Sequence, residues 1–196
     1  MATHSGSRYS LKAINGASVN GDTIRQREDL YCTPPYAVEL LLNLEEFDRN
    51  IWECAAGFSH IADVFTSKGY NVRQSDIIVR KEGIEELDFL AIDNIEPWDG
   101  DIVTNPPYKY AREFVEKAMS LIPEGRKVAM LLKLTFLEGK DRRSLFKIYP
   151  PKVVYVSTSR IACGKEGVFA NESAVCYAWF IWEKGFNGNP IIKWFN

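Results

Sequence analysis

The chain has 196 residues, 46% of them hydrophobic and 26% charged, which predicts one compact domain with a real core and leaves too little chain for a second. No apolar run is long enough to span a membrane and the N-terminus lacks a charged-then-apolar leader pattern, so the expectation is a cytoplasmic protein with no membrane contact. Cys32, Cys54, Cys163 and Cys176 form no CxxC pair and the histidines are His4 and His60, which argues against a metal site and removes catalytic triads and the HExxH pattern.

Net charge is −2, but the charges are unevenly placed. Residues 82–101 hold eight acids and no Lys or Arg, whereas 133–165 hold eight basic residues (Lys133, Lys140, Arg142, Arg143, Lys147, Lys152, Arg160, Lys165) against Glu138 and Asp141. That basic excess suits a phosphate backbone, although charge alone favours an ordinary solvated surface.

In chain order, residues 1–28 are rich in Ser, Gly, Asn and Thr and predict a flexible or loosely packed arm ahead of a single domain over 29–196. Ala37 to Leu44 reads as a short helix after Pro34-Pro35, and Ile51 to Cys54 as a strand running into Ala55-Ala56-Gly57. Residues 60–68 carry a helical apolar face closed by Gly69, before a strand at 70–74. A weaker helix at 84–90 precedes a strand at 101–104, a helix at 110–121 and an apolar strand at 128–134. This alternation predicts an α/β fold with a mostly parallel, doubly wound sheet. The last strands, 152–157 and 174–182, are joined by about 16 residues without a crossover helix and should form an antiparallel hairpin.

The most specific motif is Thr104-Asn105-Pro106-Pro107-Tyr108, directly after a buried strand, where doubly wound sheets place their sites. The prolines stiffen the backbone and remove two donors, turning the Asn105 amide and the Pro106 carbonyl, both acceptors, toward the mouth of the sheet. Two acceptors gripping the protons of a conjugated amine favour a tetrahedral nitrogen and free its lone pair for attack on a methyl sulfonium. Tyr108 is placed to stack on a planar target. A plain strand-to-helix turn is the competing reading. Asp76 lies 19 residues past Gly57, near the spacing at which an acid receives ribose hydroxyls, although an acid after a strand also suits a helix cap.

These residues resemble the Rossmann-like S-adenosylmethionine-dependent amino-methyltransferases, in particular the small adenine-specific DNA methyltransferases of phages and prophages, over about residues 29–196. Asn105 to Tyr108 match the family's (N/D)PP(Y/F) motif. The resemblance implies that Asn105 and the Pro106 carbonyl bind the adenine amine and Tyr108 stacks on the flipped base. It implies a seven-stranded sheet, S-adenosylmethionine as cofactor and DNA as substrate. Trp52 to Phe58 resemble the cofactor loop, with Ala55, Ala56 and Gly57 admitting close backbone approach and the Glu53 carboxylate holding the methionine ammonium. Asp76 would take the ribose. Asp88-Phe89 resemble the DF pair around the cofactor adenine, and Tyr31-Cys32-Thr33-Pro34 the TP segment over the methionine end. Lys133, Arg142, Arg143, Arg160 and Lys165 are the candidate substrate contacts.

The same grip suits an RNA base or a protein glutamine amide, and so small a fold also suits a nucleic-acid-binding subunit that needs a partner. A homodimer is equally open. A nicotinamide oxidoreductase is disfavoured, because the first loop lacks GxGxxG. Without a separate recognition domain, a short or relaxed sequence preference is expected.

Overall fold

The computed structural model describes residues 31–93, 96–165, 168–169 and 173–195, and the arm expected over 1–28 lies outside them. In chain order the elements are β1 (Tyr31–Cys32), α1 (Pro35–Leu42), β2 (Asn50–Glu53), α2 (His60–Ser67), β3 (Asn71–Asp76), β4 (Glu85–Glu86), β5 (Asp101–Thr104), α3 (Ala111–Leu121), β6 (Lys127–Lys133), α4 (Arg143–Ile148), β7 (Val153–Ser157), β8 (Gly164–Lys165), β9 (Tyr177–Glu183) and β10 (Ile191–Phe195). Local chemistry explains several boundaries. Pro35 opens α1, where its missing N–H costs nothing. Gly69 follows α2 at a φ of 87°, which a residue with a Cβ adopts only under strain.

Eight strands form the main sheet in the order β10-β7-β9-β6-β5-β2-β3-β4, while β1 and β8 make a separate pair. The β9 strand inserts between β6 and β7 antiparallel to both, and the other neighbours run parallel. The expected hairpin therefore forms. The central strands β5 and β9 are almost wholly buried, as a sheet covered on both faces requires. Alternate residues feed two cores. Trp52, Ile102, Val128, Phe180 and Trp182 pack with Phe114 and Val115 of α3 on one face. Ile51, Val103, Ala129, Trp179 and Ile181 pack with Val38 of α1 and Phe65 of α2 on the other. The Trp179 indole N–H donates to the Ala37 carbonyl at 3.0 Å, fastening α1 to the sheet.

Two expectations need correction, and α4, β8 and β10 were not read from the sequence. The sheet has eight strands rather than seven. The stretch 84–90 is not a helix: after Gly83 at φ 89°, Glu85–Glu86 extend the sheet beside Ser75–Asp76, Glu85 pairs with Arg73 at 2.8 Å, and Phe89 turns inward. The short helix α4 follows the apolar strand β6, and the segment between β7 and β9 contains β8. Among the described residues no helix is long and apolar enough to cross a membrane.

The strand order decides where a ligand fits. From β2 the chain winds outward through β3 and β4, then returns to the other side of β2 with β5. The carboxyl ends of β2 and β5 therefore diverge, and a crevice opens at the switch point.

Candidate active site

Glu53 ends β2 and Asn105 follows β5, so both project from the divergent strand ends. Between them lies a cleft lined by Tyr31, Cys32 and Thr33, by Glu53, by Ala55 to Phe58, by His60 and Ile61, and by Asn105. Segments expected from separate motifs are thus brought together.

The loop after β2 is held by the end of β3. The Ala56 N–H donates to the Ser75 carbonyl at 3.0 Å and the Gly57 N–H to the Asp76 carboxylate at 2.8 Å. Gly57 has φ 55° and Ser59 φ 67°. For Ser59 this left-handed backbone carries strain of about 1 kcal/mol or more. Asp76 also accepts from the Ile78 N–H at 3.0 Å and pairs with Arg80 at 3.3 Å. Its carboxylate is the post to which the loop is tied, with the helix-cap-like N–H bonds of the alternative reading.

Glu53 is only 2% exposed. Its carboxylate accepts from the Ala62 N–H in the first turn of α2 at 2.8 Å. Burial pushes the Glu53 carboxyl well above the usual range, with the Ala62 N–H pulling the other way. A buried carboxylate of this kind favours a cationic ligand group.

The Asn105 side chain is oriented by the backbone. Its Nδ2–H donates to the Tyr31 carbonyl at 2.7 Å. A carbonyl can only accept, so the amide nitrogen must face Tyr31 and the oxygen must point elsewhere. That Oδ1 is buried and has no hydrogen-bond partner. The Thr33 hydroxyl, in the same cleft, is also buried and unpartnered. Orphaned buried acceptors are uncommon and call for a ligand or water.

Pro106 is buried, and the Pro107 carbonyl accepts from the Tyr110 N–H at 2.9 Å to start the turn into α3. The Tyr108 ring lies 5.6 Å from Tyr31 and 5.8 Å from Tyr177 between centroids. The Lys133 Nζ stands 5.0 Å over the Tyr108 ring. The Tyr108 hydroxyl is buried, and burial pushes the phenol well up, with Cys163 and Tyr177 adding to the shift and the Asn105 amide opposing it. Tyr177 reaches the site because β9 is antiparallel: its first residue pairs with Lys133, the last of β6.

Several expected site residues lie elsewhere. Phe89 is in the core, stacked on Phe114 at 5.1 Å and edge-on to Trp52 at 5.3 Å, so its ring is committed to packing. Asp88 is exposed and accepts from the Leu90 N–H at 3.0 Å. Pro34 caps α1 and is not among the residues lining the cleft. Arg142 is spent on the turn before α4: its guanidinium donates to the carbonyls of Phe136 at 2.8 Å, Thr135 at 3.2 Å and Glu138. Arg160 donates to the Ser173 carbonyl at 2.9 Å, and Arg143 is exposed on α4. The Lys165 backbone pairs with Tyr31 in β1, while its side chain lies outside the described residues.

Sequence reasoning missed Ile61 and Tyr177, placed Cys32 and Phe58 within motifs without giving either a role, and gave His60 no place in the site. His60 contacts Phe169 at 5.1 Å and Phe58 at 6.2 Å between ring centroids. Burial lowers its pKa and favours the neutral ring. The one signal for it was its place directly after the cofactor-type loop.

No protein-family model matches the sequence, and no curated protein matches it. Solved structures do share its fold. A candidate class I S-adenosylmethionine-dependent methyltransferase from Listeria monocytogenes is 15% identical, with a TM-score of 0.59 over 83% of this chain and 65% of that one. A candidate RNA methyltransferase from Pyrococcus horikoshii is also 15% identical, with a TM-score of 0.58 over 89% of this chain and 95% of that one. The M protein of the type I restriction enzyme EcoKI is 13% identical, with a TM-score of 0.55 over 80% of this chain and 44% of that one. This chain thus spans less than two thirds of the Listeria protein and under half of the M protein. The likeness at these identities is one of architecture, and the chain carries the Rossmann-like fold seen in class I S-adenosylmethionine-dependent methyltransferases.

Proposed function

We propose that this protein transfers a methyl group from S-adenosylmethionine to the exocyclic N6 amine of adenine in DNA. The observation that carries the reading is the Asn105 Oδ1, buried and unpartnered at the carboxyl end of β5 while the amide nitrogen is fixed by Tyr31. An acceptor held in this way suits an N–H of a planar amine. With the Pro106 carbonyl as second acceptor, as the sequence motif implies, both amine protons are gripped and the nitrogen lone pair is released for in-line attack. Preorganised acceptors and orientation supply the rate, so no side chain has to act as a base before transfer.

The cleft residues fit the cofactor. The unpartnered Thr33 hydroxyl suits its carboxylate, Glu53 suits its ammonium, and the loop at Ala55 to Gly57 admits close backbone approach. When bound, S-adenosylmethionine supplies an electrophilic methyl group on a sulfonium. Asp76 and Phe89 are not needed as ligands in this arrangement: Asp76 shapes the loop by holding the Gly57 N–H. Tyr108, flanked by Tyr31 and Tyr177, is the stacking surface for the target ring. Half-buried Lys133, over the Tyr108 ring, and exposed Lys140, Arg143 and Lys147 are the basic residues offered to phosphate.

The test is transfer of label from methyl-labelled S-adenosylmethionine to duplex DNA, single-stranded DNA, RNA and protein in parallel, followed by nucleoside and amino-acid analysis. Labelled methyladenine from DNA is expected. Asn105→Ala is expected to abolish transfer while cofactor binding stays nearly unchanged. Label only in RNA or in glutamine would replace the substrate and keep the chemistry. Cofactor binding without transfer would point to a missing partner subunit, and a fully active Asn105→Ala would sink the mechanism.

A further inference from the structure

The contact that orients Asn105 comes from a residue 74 positions away in sequence. Tyr31 belongs to a two-residue strand, and the ladder partner of that strand is β8, with Tyr31 opposite Lys165 and Cys32 opposite Gly164. We propose that β1 and β8 form a clasp that sets the orientation of the Asn105 amide, with Gly164 as its positioning residue; this rests on the methyl-transfer reading above.

Gly164 is where the clasp is most constrained. A Cβ at this position would meet the Val168 carbonyl oxygen at 2.3 Å, the Val168 carbonyl carbon at 2.7 Å and the Phe169 Cα at 2.8 Å. All three are backbone atoms, so no side-chain rotation relieves the overlap. Val168 and Phe169 approach Gly164 closely enough that glycine alone fits. A second tie holds the same segment from the other side, because the Ala162 N–H donates to the Tyr36 hydroxyl at 3.2 Å, at the start of α1. Residues 162–165 are thereby fixed to both ends of the Tyr31–Tyr36 stretch.

Chemistry makes this orientation decisive. The oxygen and nitrogen of a carboxamide are nearly the same size, so packing alone discriminates poorly between the amide and its flipped form. The Tyr31 carbonyl makes the choice, since it can face only the NH2. Were Tyr31 to withdraw, the flipped amide would present N–H toward an amine that also offers N–H, and the acceptor grip would be lost. Gly164 touches neither substrate nor Asn105 and acts through the β1 backbone.

The experiment uses the full chain labelled with 15N, with the Asn105 side-chain NH2 assigned by its loss in Asn105→Ala. In the wild type this group is expected to exchange with solvent more slowly than exposed asparagine amides. In Gly164→Ala, exchange should speed and kcat should fall by about ten-fold or more, the scale set by small misplacements of a catalytic group, and by more than cofactor affinity falls. Tyr36→Phe, an exposed position that leaves the packing intact, should move exchange and kcat the same way by less, and decides the matter if Gly164→Ala does not fold. A wild-type amide as mobile as a surface asparagine overturns the clasp. So does a folded Gly164→Ala with unchanged exchange, or one with faster exchange and unchanged kcat. If the wild type methylates nothing, the functional reading fails, and the amide exchange still decides the clasp.

Discussion

A carboxylate as enclosed as that of Glu53 is poorly solvated when charged. Burial raises its pKa, so over a window from the ordinary carboxylate range upward the folded chain holds a proton that the unfolded chain has lost. Stability tied to this group is therefore full at low pH and declines as pH rises through that window. A ligand carrying a positive charge favours the ionised form, so its binding should release a proton and strengthen with rising pH there. Calorimetry of S-adenosylmethionine binding in buffers of different ionisation enthalpy should register that proton for the wild type and lose it in Glu53→Gln. An unchanged proton count in the variant would take Glu53 out of the ligand's reach. At this scale the residues legible in the sequence were those fixed by their own neighbours: Asn105 by two prolines, Gly57 by its backbone, Glu53 by the end of an apolar strand. Arg142 and Phe89 were not legible as structural residues, because the carbonyls and rings they engage belong to parts of the chain whose conformation only the tertiary fold settles.

Short elements escaped the sequence for a different reason. A two-residue strand such as β1, β4 or β8 is shorter than one full repeat of strand alternation, so no periodicity can announce it. The long strands β6 and β9, by contrast, are unbroken apolar runs and could be read directly. The turn before α4 shows what such short pieces depend on. Replacing Arg142 by Met takes the guanidinium donor from three carbonyls, of which Thr135 keeps the Glu138 N–H, and removes the cation 5.0 Å from the Phe136 ring. We expect a loss of about 1–3 kcal/mol in denaturant unfolding with little direct effect on nucleic-acid affinity. Arg143→Ala, one residue on and exposed, should do the reverse: no change in stability, and a salt-dependence slope of DNA binding reduced by about 1. Equal losses of stability in both variants would contradict this division.

For the molecule as a whole, the winding order was legible because alternating helices and strands force a parallel sheet, and its switch point then locates the cleft. The extent of the basic surface was not. Of the eight basic side chains counted over 133–165, Arg142 and Arg160 are engaged on backbone carbonyls and Lys152 on Glu183. Lys133, Lys140, Arg143 and Lys147 have no ion pair among the described residues. If these four meet phosphates, log K against log salt for duplex DNA should fall with a slope of about −3 to −4. A slope near zero would remove the phosphate backbone from the substrate altogether. The antiparallel insertion of β9 has one more consequence. Val156 of β7 and Ala178 of β9 are direct ladder partners, so the strands could be joined by a loop of about two to five residues, yet 158–176 is far longer. The sheet closes without that surplus, which frees Ala162 to reach the Tyr36 hydroxyl and Gly164 and Lys165 to pair with β1 at the cleft. Extra chain in this connection thus acts as a strut: it props the edge of the cleft from a sheet that would stand without it.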